Sequence, residues 1–245
     1  MLIRIRTVAL EGRTSKGAGV SRTPVGAVLF DFHQTLFQVE AGESWIGAAC
    51  TGIGRDTALP EIETLLTQVN AAREFPDVVE GQKGRDRSPE AHRSATLFWL
   101  HAGGVDEQLA DALYERLLDP SGWHPYRDTA ATLAELSRIG VPVGVISNTG
   151  WDLRKTFEHY GLAGHVKSFT LSCEHGMEKP DPDFFRLACA ELSSPPEETL
   201  MVGDNPLSDG GAVAAGMMCH LFPPAPPHAS RGLWTILRLV DPWTE

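Results

Sequence analysis

The stretch "VLFDFHQTLF" ends an apolar run in a carboxylate, Asp31, and carries a histidine, His33, two positions later. An aspartate directly after a buried strand stands where an α/β sheet offers side chains to a ligand. Three later stretches repeat that placement. "VISNTG" ends an apolar run in Ser147 and Asn148, small donors able to hold an anionic oxygen. "MEKPDPDFF" sets Lys179 in a proline-stiffened segment just before a helical pattern, where an ammonium can reach inward as a point charge on a phosphate. "MVGDNPLSDGG" ends a run in Asp204 and brings Asp209 five residues later, a carboxylate pair suited to a hard divalent cation. Singly, each has a plain structural reading as a turn aspartate, a helix cap or a solvated lysine.

The elements that must position these residues are alternating strands and helices. The run at 25–30 is short, continuous and apolar, as expected of a strand buried on both faces of a parallel sheet. Similar runs begin at Val141, Thr199 and, more weakly, Val166 and Met217. Helical patterns fall between them at 126–140, 152–162, 181–192 and 208–217. The alternation predicts a Rossmann-like, doubly wound α/β sheet that binds ligands at the carboxyl ends of its strands. Residues 38–124 differ in texture, with helical spacing at 61–72, 89–101 and 106–118 broken by "GQKGRDRS" and "HAGG". Ser88 before Pro89 is a helix start. The expected organisation is a core of residues 24–37 and 125–245 carrying a helical cap at 38–124, with "FPPAPPH" as a stiff surface loop.

Composition sets the outer bounds. The chain has 245 residues, 42% of them hydrophobic, enough for a folded core with an inserted smaller unit. A formal charge of -11 speaks against general affinity for nucleic acid or an anionic membrane surface. Cys50, Cys173, Cys189 and Cys219 are scattered and form no CxxC pair, so reduced core thiols in a cytoplasmic protein are expected. No apolar stretch reaches the roughly 20 residues of a membrane span. Residues 1–23 are basic and acid-poor and lack a secretory h-region, which could suit a transit peptide but reads better as a flexible tail or a start codon placed too early.

In order and content, Asp31, Ser147, Lys179 and the Asp204/Asp209 pair resemble the haloacid dehalogenase-like (HAD) hydrolase superfamily, over roughly residues 25–221 and including a helical insert between the first two motifs. The resemblance implies a magnesium-dependent hydrolase of small phosphate monoesters. Asp31 would be the nucleophile, forming an aspartyl-phosphate that water then hydrolyses. Asp31, the backbone carbonyl of His33, Asp204 and Asp209 would hold Mg2+, while Ser147, Asn148 and Lys179 serve the transferring oxygens. His33 departs from the family pattern, whose phosphatases usually carry a proton-transferring aspartate there. Either the imidazole takes over that role or it only packs, leaving a slow phosphatase or another chemistry. Hydrolytic dehalogenation is the alternative reaction, although its enzymes lack the acidic motif kept here in "GDNPLSD". A member that only binds a phosphorylated ligand or a protein partner is the non-catalytic alternative.

Arg85, Arg87, His92, Arg93 and Trp99, in or beside the expected helix at 89–101, are the candidate substrate selectors. Arginine suits a second phosphate or carboxylate, and tryptophan an aromatic or sugar face. The expected partner is a small phosphorylated metabolite, and the protein a monomer or homodimer.

Overall fold

Ala27, Val28, Leu29 and Phe30 are all fully buried and form the central strand β1 (Ala27–Phe30) of a five-stranded sheet in a computed structural model that describes residues 25–226 and 228–240. The expectation for residues 1–23 falls outside the described residues. Beyond β1 the chain passes through β2 (Phe37–Val39), a helical stretch and β3 (Trp123–Pro125). It then alternates α6 (Thr129–Arg138), β4 (Val143–Ser147), α7 (Arg154–His159), β5 (Ser168–Leu171), α8 (Ser172–His175), α9 (Pro182–Leu192), β6 (Thr199–Gly203), β7 (Met218–Leu221) and α10 (Trp234–Val240). The helical stretch holds α1 (Gly42–Gly52), α2 (Leu59–Ala72), α3 (Pro76–Gly81), α4 (Pro89–Ala102) and α5 (Glu107–Leu118).

The sheet runs β5-β4-β1-β6-β7 with every pairing parallel. Successive side chains of β1 point to opposite faces, so both faces must be covered. Val28 and Phe30 pack with Leu133 and Leu136 of α6, Phe157 of α7 and Ile236 of α10. Ala27 and Leu29 pack with Phe184, Phe185 and Leu192 of α9. The chain builds outward from β1 to β4 and β5, then crosses to β6 and β7. Strand order therefore reverses beside β1, where an open α/β sheet leaves a crevice at its carboxyl edge.

The insert has its own apolar centre, built from Trp45, Ile46, Val69, Trp99, Leu100 and Leu113 among others. Two of its helices, α4 and α5, start at side-chain caps. Ser88 accepts from Ala91 N at 3.1 Å, and Asp106 accepts from Leu109 N at 3.1 Å. The two crossings between insert and sheet are tied by the antiparallel pair β2 and β3, with Gln38 opposite His124.

One expected helix takes a different form. Residues Asp209–Ala215 form a 3-10 helix, and Gly211 within it lies so close to the loop holding Pro180 that a Cβ there would fall 2.5 Å from Pro180 O. All four cysteines are free, and no helix among the described residues is long and apolar enough to cross a membrane.

Candidate active site

Parallel pairing brings three strand ends side by side. Asp31 follows β1 directly, and its N–H donates to Val202 O of β6 at 2.8 Å. Ser147 is the last residue of β4 and Asp204 the first beyond β6, so both stand next to Asp31 along the sheet edge. Lys179 enters from the loop before α9, and its Nζ donates to Asp31 Oδ1 at 2.5 Å and Asp209 Oδ1 at 2.6 Å. Asn148 fixes that loop: its Nδ2 donates to Lys179 O at 2.9 Å, and Lys179 N donates to its Oδ1 at 2.7 Å. Asn148 thus acts here as a clamp on the lysine backbone, whereas Ser147 makes no side-chain hydrogen bond among the described residues and lines the adjacent cavity.

Asp209 is fully buried, and its Oδ2 accepts from the backbone N–H groups of Asp204 at 3.0 Å and Asn205 at 2.9 Å. Glycine is required above it, since a Cβ on Gly203 would sit 2.2 Å from Asp209 Oδ2. Asp209 therefore shapes the turn that carries Asp204 and also anchors Lys179.

Three carboxylates, Asp31, Asp204 and Asp209, bring oxygens within 4.8 Å of one another around a single ammonium. Burial pushes the Asp31 carboxyl well above the usual carboxylate range; Lys179 pulls it back, and Asp209 and Asp204 raise it further. Asp204 is raised as well, by burial and by Asp209. Burial opposes the charge on Lys179, yet Asp31 and Asp209 hold it above the ordinary lysine range. Three acids against one lysine leave negative charge uncompensated, and the donors are all oxygen. Both properties fit a hard divalent cation. The carbonyl of His33 accepts no hydrogen bond among the described residues, so it is open to the same ion.

His33 exposes its ring to a cavity of about 390 Å³ between the sheet edge and the insert, while protein crowds its other sides. Its ring meets Trp123 edge-on, centroids 5.4 Å apart. Burial, then the nearby Arg85 and Arg73, push the imidazole down to about 4. That direction favours the neutral imidazole.

Of the five expected selectors, Arg85, His92 and Trp99 line this cavity. Arg87 and Arg93 do not. Arg87 pairs with Glu178 at 2.9 Å, and Arg93 pairs with Asp111 at 2.5 Å, both at the surface. Sequence reasoning passed over Arg73, Asp86 and Thr96 as lining residues. Arg73 directly follows α2, where a cation reads as a partner of the helix dipole, and that reading hides its other face.

Comparison with known proteins fits this geometry. Residues 25–216 match the family described as haloacid dehalogenase-like hydrolase. A ribulose-1,5-bisphosphate 5-phosphatase of Halopiger xanaduensis is 31% identical over 214 residues, covering 81% of this chain and 85% of that protein. A phosphoserine phosphatase of Thermus thermophilus is 40% identical over 122 residues, a match spanning only 47% of each chain. Among solved structures, the Bacillus subtilis protein YfnB, in a structure bound to magnesium, superposes with a TM-score of 0.66 at 19% identity over 89% of this chain and 99% of that one. An L-2-haloacid dehalogenase from Xanthobacter autotrophicus superposes with a TM-score of 0.60 at 24% identity over 84% and 80%. These two likenesses bear on the fold alone.

Proposed function

Since the chain belongs to the haloacid dehalogenase-like hydrolases, we propose that it is a magnesium-dependent hydrolase of small phosphate monoesters working through a phosphorylated Asp31. The observation that carries this reading is the buried Asp31–Lys179–Asp209 contact with Asp204 beside it.

One oxygen of Asp31 attacks phosphorus, and the bond from phosphorus to the substrate's ester oxygen breaks. Water then attacks the same phosphorus, releasing inorganic phosphate and restoring the carboxylate. Two easier displacements replace one hard one. Lys179 has three protons and gives two to Asp31 and Asp209, which leaves one for a phosphoryl oxygen. Ser147 offers its hydroxyl to another. Asn148 keeps Lys179 in register without touching the phosphate. Asp31, Asp204 and the His33 carbonyl would hold Mg2+, with Asp209 orienting the set, and the ion would offset repulsion between carboxylate and phosphate. His33, neutral, suits the second displacement, where it takes a proton from the attacking water. The leaving alkoxide draws its proton from solvent. The insert acts as a cap over the cavity and favours small substrates. Retention of all three acids supports phosphoryl transfer over dehalogenation.

The test is phosphate release from a panel of small phosphomonoesters by wild type and Asp31→Asn, with and without magnesium, with intact-mass detection of a phosphorylated chain. Magnesium-dependent release by wild type alone is expected. Release that survives in Asp31→Asn, or that ignores metal removal, overturns the reading.

A further inference from the structure

The proposed reaction uses one anion site, at Asp31 and Lys179, yet the insert side of the cavity holds a second concentration of positive charge. Arg73 lies with its guanidinium carbon 4.1 Å from the Trp99 ring centroid, stacked on an indole whose Nε1 is tied to Val69 O at 2.8 Å. Among the described residues Arg73 makes no side-chain hydrogen bond and has no carboxylate within ion-pair distance, so its N–H edges stay uncommitted beside the cavity. Arg85 lines the same cavity. Its Nη1 donates to Gln82 Oε1 at 2.6 Å, and its Nε stands 3.3 Å from Asp86 Oδ1. Two guanidiniums and one carboxylate leave a positive charge over. Burial and Arg85 both weaken the hold of Arg73 on its proton, as expected of two cations sharing one space.

The same wall carries polar atoms that lack partners. His92 is fully buried, and its Nε2 has none; it lies 3.8 Å from Asp86 Oδ1, the oxygen that faces Arg85 Nε. Trp151 Nε1 and Thr96 Oγ1 are likewise unpaired. These atoms are themselves closed off from the open space, so what the cavity offers a ligand on this side is the pair of guanidiniums.

We propose that Arg73 and Arg85 form a subsite for a second anionic group, so that the preferred substrate is a short phosphomonoester bearing a carboxylate or a second phosphate. This deepens the phosphatase reading and rests on it for the reaction, although not for the binding. A stacked guanidinium presents a fixed fork that matches a carboxylate or phosphate edge.

The test uses phosphonates, which bind without turnover. Calorimetry with wild type compares phosphonoacetate and 1,2-ethylenediphosphonate with ethylphosphonate, which lacks the second anion. One or both should bind about tenfold to a hundredfold tighter, as charged hydrogen bonds predict, and the better of the two names the anion. Arg73→Gln and Arg85→Gln should each shrink that ratio, with Arg73→Lys retaining part of it. Equal binding of all three by wild type, or a ratio that survives both glutamine variants, overturns the proposal. Phosphate release from ethyl phosphate, measured in parallel, reports on the phosphatase reading alone.

Discussion

Acid should loosen the fold through His92, which is replaced by glutamine to isolate the effect. His92 is 0% exposed, projecting from α4 against Gly150 in the loop after β4. Its Nδ1 lies 3.2 Å from Tyr114 Oη, its Nε2 3.8 Å from Asp86, its ring 5.1 Å from the Trp151 ring, and Arg85 stands near. Burial, then Arg85, push the imidazole down to about 4 from the usual 6.5. The folded pKa is thus depressed below the unfolded one. Between those values the unfolded chain binds a proton that the folded chain refuses, so stability falls as pH drops through the window and is complete above it. The full shift corresponds to about 3 kcal/mol, of which about 2 kcal/mol is lost between about pH 7 and about pH 5. Asp86 is raised by burial and acts in the opposite sense, but it does so in both proteins and largely cancels in the difference. Urea unfolding of wild type and His92→Gln at the two pH values measures that difference. Wild type should lose about 2 kcal/mol more than the variant. Equal losses would show that His92 is not held neutral by the fold.

Two further outcomes follow from the site. His33→Asp should raise turnover of alkyl phosphates, whose leaving group needs a proton, relative to p-nitrophenyl phosphate, whose leaving group does not; steady-state kinetics on the pair checks this, and an equal change on both would refute it. Gly150→Ala should destabilise the protein by about 1–3 kcal/mol in urea unfolding, since overpacking forces rigid neighbours apart. The new Cβ would fall 2.1 Å from His92 Cβ and push α4 off the core, so stability within experimental error of wild type would contradict the close approach.

The three central strands were legible because they are buried on both faces and read as continuous apolar runs, each ending at or just before a residue with chemistry. Val141 and Thr199 head such runs, and β4 and β6 fall within them. The pair β2 and β3 was not foreseen, because three-residue strands give too little alternation to detect. The turn at Asp209 reads as helical by composition, but Gly211 gives it a close approach to the lysine loop that spacing cannot express. For the arginines the limit is rotational. Neighbouring helical positions are turned by about 100°, so His92 faces the cavity while Arg93 points to Asp111. Asn148 was read as an oxygen-holding donor by type alone, and only its two bonds to Lys179 reveal the clamp.

Arg231 ties the last part of the chain to the loop after β1, about two hundred residues earlier in the sequence. Its Nε donates to Gln34 O at 2.7 Å, bracing the loop that carries His33, and its other nitrogens bond the carbonyls of Phe222 and Pro223. Asp128 secures the segment in turn, accepting from the N–H groups of Arg231, Gly232 and Leu233. The stretch shared with the family ends at residue 216. A recombinant chain trimmed to that boundary would keep every motif residue and still lose β7, α10 and the brace behind the loop that carries His33, so an inactive truncation would report on the missing support rather than on the motifs themselves.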